Sequence, residues 1–225
     1  MAGNKLVNTF NKAQSSTTDT NARVMLLPAK PVRKPRDPME ALLVSTGVVA
    51  LAEIGDKTQL LALVLAARFR APVPVILGIL TATLANHLAA GAVGTLLASH
   101  IDPRLMRYLL AASFFATAAW MFIPDRQPDA LQKPARFGAY GTTLVSFFLL
   151  EIGDKTQLAT VALAAKYQML IPVVAGTTLG MLLADVPVVL LGGVAANRIP
   201  VKLVNRIAAA AFVVLGVLVL AGVHT

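Results

Sequence analysis

Not one cysteine occurs among the 225 residues. That excludes disulfides, zinc–thiolate sites, iron–sulfur clusters and thiol nucleophiles, and it leaves no redox signature of compartment. Charge is also scarce. Asp, Glu, Lys and Arg make up 14% of the chain, where a soluble domain of this size carries about a quarter. Three histidines are too few for a His-rich metal site. What is abundant is apolar: 56% hydrophobic residues and a mean hydropathy of +0.71. This balance excludes a soluble globular enzyme and predicts a polytopic membrane protein.

The net charge of +9 is unevenly spread. Residues 1–38 hold seven Lys/Arg against Asp19 and Asp37, while the rest of the chain holds thirteen against nine acids. Outside the tail, basic residues sit at the ends of apolar runs. That is the pattern of membrane flanks, not of a nucleic-acid surface, so no nucleic-acid partner is expected. Residues 1–38, rich in Ser, Thr, Asn, Pro and Lys, read as a disordered basic tail. No apolar h-region follows the early charges, so the tail is not a signal peptide. The expected location is the cell (inner) membrane. An organelle membrane is the alternative if the tail is a transit peptide.

From Met39 onward the chain reads as six apolar spans, near 40–67, 73–98, 105–123, 140–165, 171–195 and 203–223, separated by charged or proline-containing joints. About 20 residues of helix cross a bilayer, and only helices satisfy their backbone groups within one segment in lipid. The expected fold class is therefore all-α, with six transmembrane helices.

The octet Glu53-Ile-Gly-Asp-Lys-Thr-Gln-Leu60 recurs identically as Glu151-Ile-Gly-Asp-Lys-Thr-Gln-Leu158. The same offset of 98 aligns Arg68 with Lys166, Pro74 with Pro172, Gly78 with Gly176, Gly94 with Gly192 and Arg104 with Lys202, without a gap. The chain thus divides into two three-helix repeats, 39–123 and 139–225, joined by a polar linker at 124–138. A unit with three crossings ends on the side opposite its start. Its copy then enters upside down, and such inverted repeats form sites at their interface near the midplane.

Four of the eight carboxylates beyond Glu40 lie in the octets: Glu53, Asp56, Glu151 and Asp154. A carboxylate at the bilayer centre costs about 2.5–3.5 kcal/mol, so four without partners would cost on the order of 10 kcal/mol. The i, i+3 spacing puts Glu and Asp on one helix face, and inverted symmetry brings the two pairs together. The expected result is a cage of carboxylate oxygens, with Thr58, Gln59, Thr156 and Gln157 as neutral oxygen donors. Such a set suits a hard divalent cation, Ca²⁺, Mn²⁺ or Mg²⁺. Gly55 and Gly153 allow close helix approach or local unwinding. Lys57 and Lys155, at i+4 from Glu53 and Glu151, are candidate gates that pair with those glutamates in the empty site. Protons and a cation compete for the same oxygens, which is the physical basis of antiport. In mid-span, His87 and its repeat mate Asp185 are candidates for a proton relay.

Two competing readings keep the acids as structural salt bridges, such as Glu53 with Lys155, or make the chain a non-transporting scaffold. A different class, an intramembrane aspartyl protease, would use Asp56 and Asp154 as a dyad sharing one proton. The Lys after each Asp and the Glu one turn before fit a cation cage better. No resident cofactor is expected, the cation being cargo. The expected partners are that cation, protons and the lipid bilayer.

The paired Glu-x-Gly-Asp-(Lys/Arg)-(Thr/Ser) motifs, present as Glu53–Thr58 and Glu151–Thr156, resemble those of uncharacterised protein family sixteen, the GDT-type manganese/calcium–proton antiporters of the lysine-exporter superfamily. The resemblance covers 39–223. It implies six transmembrane helices, transport of Mn²⁺ and Ca²⁺ against protons, and Glu53, Asp56, Glu151 and Asp154 as cation ligands. Bacterial members of that family commonly begin near what is Met39 here, so the 38-residue extension departs from their pattern.

Overall fold

The computed structural model describes residues 37–123, 137–191 and 201–222. The tail expected at 1–38 and the linker expected at 124–138 therefore fall almost wholly outside the described residues, as do Gly192 and the joint at 197–200. The described residues form eight helices and no strand: α1 Pro38–Glu53, α2 Lys57–Phe69, α3 Pro72–His100, α4 Pro103–Trp120, α5 Gly138–Glu151, α6 Lys155–Tyr167, α7 Leu170–Leu191 and α8 Val201–Leu220. By length and composition, α3, α7 and residues Lys202–Leu220 of α8 can each cross a membrane.

Local chemistry sets the helix ends. Pro38, Pro72 and Pro103 open α1, α3 and α4, where a missing N–H is harmless and a fixed φ is already helical. Asp37 and Asp102 cap the first and third of these, accepting from Met39 N at 2.8 Å and Arg104 N at 2.8 Å. α2 and α6 end alike, on left-handed residues Arg70 (φ 49°) and Gln168 (φ 51°), which are repeat mates.

The spans expected as single helices at 40–67 and 140–165 are each broken in two. Ile54-Gly55-Asp56 separates α1 from α2, and Ile152-Gly153-Asp154 separates α5 from α6. Glu and Asp of each octet are therefore not neighbours on one helix face. Glu closes one helix, and Asp is the N-cap of the next.

Contacts between the repeats come in exchanged pairs. α7 packs on α1 and α3 packs on α5. A Cβ at Gly78 would stand 2.9 Å from the Tyr140 carbonyl oxygen, and one at its mate Gly176 would collide with the Leu42 carbonyl, itself the mate of Tyr140. Phe114 and its mate Phe212 face each other with ring centroids 6.3 Å apart, joining α4 to α8. The distribution of polarity is inverted relative to a water-soluble protein. Glu53, Asp56, His87, Glu151, Asp154 and Asp185 are buried, while Leu84, Leu88, Leu183 and Leu190 are exposed.

Candidate metal centre

The site begins with two backbone breaks. The chain turns at Gly55 (φ +83°) and Gly153 (φ +77°), a conformation in which a Cβ is strained. Each turn is closed by the Asp amide, Asp56 N to Glu53 O at 3.0 Å and Asp154 N to Glu151 O at 3.1 Å. The glycine amides left without helical acceptors are taken up by the following half-helix. Gly55 N donates to Gln59 Oε1 at 2.8 Å, and Gly153 N donates to Gln157 Oε1 at 2.7 Å. The amide oxygens of Gln59 and Gln157, expected as neutral donors to a cation, are thus committed to the backbone. Gln59 Nε2 also donates to the Ala184 carbonyl of α7 at 2.9 Å.

The lysines differ from expectation as well. Lys57 Nζ lies 2.7 Å from Asp154 Oδ1, and Lys155 Nζ lies 2.7 Å from Asp56 Oδ1. Neither pairs with the glutamate four residues earlier, and Glu53 is not salt-bridged to Lys155. The break ends the helical register that would have put Lys over Glu, so each lysine reaches across to the other repeat's aspartate. The pairs differ in surroundings: the Lys57 side chain is 19% exposed, that of Lys155 only 3%.

Glu53, Asp56 and Asp154, all buried, each bring one carboxylate oxygen to within 4.8 Å of the others. Oxygens around a hard cation bonded at about 2.3–2.6 Å stand about this far apart. Glu151 is not in that triad. Its Oε2 accepts from Thr156 Oγ1 at 3.3 Å, and its Oε1 has no hydrogen-bond partner among the described residues. Thr156 also donates to Asp154 Oδ2, through Oγ1 at 3.2 Å and N at 3.3 Å, so it serves the acids. Thr58 Oγ1 is buried without such a partner.

Both oxygens of Glu53 and of Asp185, and both ring nitrogens of His87, are buried with no hydrogen-bond partner among the described residues. A charge buried in that way needs a counter-charge or a proton. Asp185 belongs with the octet acids, being close enough to act electrostatically on both Glu53 and Glu151.

A cavity of about 380 Å³ reaches the second break, where Gly153, Asp154 and Gln157 line it beside Ala89, Val93 and Trp120. Trp120 therefore lines the same cavity as Asp154. Sequence reasoning missed the Ala184 carbonyl as the anchor of Gln59, because a main-chain acceptor carries no residue-type signal.

The arrangement does not form the dyad of an aspartyl protease. Such a pair shares one proton between its carboxyls, whereas Asp56 and Asp154 each hold a lysine ammonium at 2.7 Å.

Residues 41–129 and 139–224 match the family model described as "Divalent cation/proton antiporter GDT1". A protein of Vibrio cholerae serotype O1 (strain ATCC 39541 / Classical Ogawa 395 / O395), named "Putative manganese exporter", is 46% identical over 178 residues, which is 79% of this chain and 88% of that relative. No solved structure matches the chain.

Proposed function

This chain belongs to the divalent cation/proton antiporter family, and from that membership we propose that it exports Mn²⁺, with Ca²⁺ as a second cargo, in exchange for protons across the cell membrane. The cation site is the meeting of the two breaks, with Glu53, Asp56, Glu151 and Asp154 as ligands. One observation carries this reading: buried oxygens of Glu53, Asp56 and Asp154, from both repeats, converge within 4.8 Å. An all-oxygen donor set favours a hard cation, and a relative named as a manganese exporter favours Mn²⁺ among these. Glu151 joins through its unpartnered Oε1 once the cation arrives.

In this reading each broken helix pair, α1 with α2 and α5 with α6, counts as one span. Six spans then form two inverted repeats of three, a frame supported by the exchanged contacts of Gly78 with Gly176 and of Phe114 with Phe212. Lys57 and Lys155 hold the empty site together across the repeats and yield their aspartates to the incoming cation. Protons occupy the same oxygens on the return. The chain is a carrier and not an enzyme, the metal is cargo, and no resident cofactor takes part.

Purified protein in liposomes tests this. Inward movement of Mn²⁺ should drive proton movement the other way, read by a luminal pH dye. Asp56→Asn and Asp154→Asn should each abolish both fluxes. If both variants transport like the parent, the four-acid site is wrong.

A further inference from the structure

The two breaks do not account for every buried acid. Asp185 sits in α7, outside both octets, fully buried and with neither carboxylate oxygen hydrogen-bonded among the described residues. Its position is fixed by its neighbour. The Ala184 carbonyl accepts Gln59 Nε2 at 2.9 Å, and Gln59 holds the Gly55 amide at 2.8 Å, so this turn of α7 is fastened to the first break. Asp185 also lies within electrostatic reach of both Glu53 and Glu151.

The buried acids then sort into two kinds. Asp56 and Asp154 each have a lysine ammonium at 2.7 Å, which cancels most of their charge. No described lysine forms an ion pair with Glu53, Glu151 or Asp185, although Lys57 acts on Glu151 from farther away. The repeat mate of Asp185 is His87, so the octets' four carboxylates are symmetric and α7 alone adds a fifth.

We propose that Asp185 is a further cation-binding residue, a fifth carboxylate that joins the four acids of the two breaks around one divalent cation. This rests on the reading of the breaks as the cation site. A further carboxylate raises ligand charge, which is what tunes the affinity of oxygen sites for dications and their choice between them. The asymmetry also gives the two repeats different duties, since only the second carries this ligand on its long helix.

The test is Mn²⁺ binding to the full-length protein in nanodiscs, read from loss of the free-ion electron paramagnetic resonance signal, with Ca²⁺ as competitor. The parent should bind. Asp185→Asn should raise the Kd for Mn²⁺ about tenfold or more without lowering the unfolding temperature, because it replaces a buried carboxyl group that makes no hydrogen bond among the described residues by a neutral group of the same shape. Asp185→Glu should keep binding but change the Mn²⁺/Ca²⁺ preference, which a merely structural residue would not do. Binding by the parent together with parent-like Kd and preference in the variants overturns the role of Asp185 and leaves the breaks standing. Should the Asn variant fail to fold, a parent-like preference in the Glu variant overturns the proposal by itself, and an altered one supports it. No binding by the parent overturns both readings.

Discussion

Lys155 Nζ stands 2.7 Å from Asp56 Oδ1, and its repeat mate Lys57 stands 2.7 Å from Asp154 Oδ1, so each repeat neutralises the acid of the other. Removing one member of a buried ion pair costs about 3–5 kcal/mol, because the remaining charge loses that partner in a low dielectric. The two pairs are not equivalent. Lys155 is 3% exposed and Lys57 is 19% exposed. Lys155→Ala should therefore lower the unfolding temperature in micelles clearly more than Lys57→Ala, and exchanging the pair as Asp56→Lys with Lys155→Asp should recover most of the loss. Equal losses would mean that burial does not set the strength of these contacts.

Much of this was legible in the sequence. The identical octets announced both the duplication and the acids, and Gly55 and Gly153 signalled possible unwinding. Two features were not. Reading Glu53 and Asp56 as one helix face assumed an unbroken helix, and a glycine at positive φ cancels that assumption. The same unbroken register is what points to lysine partners at i, i+4. Partners that lie 97 and 99 residues away, as Asp154 does from Lys57 and Asp56 from Lys155, have no spacing signature.

The break itself can be probed without touching a carboxylate. A Cβ at Gly153 would meet nothing within 4 Å, so Gly153→Ala introduces only backbone strain at φ +77°. The left-handed region costs a non-glycine residue roughly 1–2 kcal/mol. Gly153→Ala should thus lower stability by about that amount and reduce Mn²⁺ flux. Gly153→Asn, whose side chain tolerates this conformation, should lose less of both. Parent-like flux in the Ala variant would show that the turn is dispensable.

Gln59 and Gln157 perform the same task at their own glycine amides, but among the described residues only Gln59 also ties its break to a carbonyl of another helix. Each neutral hydrogen bond contributes about 1 kcal/mol. Gln59→Ala should therefore cost about twice what Gln157→Ala does in thermal unfolding. It should also reduce Mn²⁺ affinity more, because it releases the turn of α7 that bears Asp185. Equal effects would argue that the Ala184 contact does not position α7.

Proton competition gives the sharpest kinetic expectation. Carboxylates must give up their protons to bind a metal ion, so a proton on any ligand excludes the cation from that oxygen. Acidifying the side from which Mn²⁺ loads, by about two pH units, should then raise the KM for Mn²⁺ while leaving the maximal rate nearly unchanged, since saturating cation displaces the protons. Acidifying the opposite side should instead raise the rate, because protons entering there clear the site for its return. A KM insensitive to loading-side pH would separate cation transport from the carboxylates of the two breaks. It would do so even if Mn²⁺ still crossed the membrane.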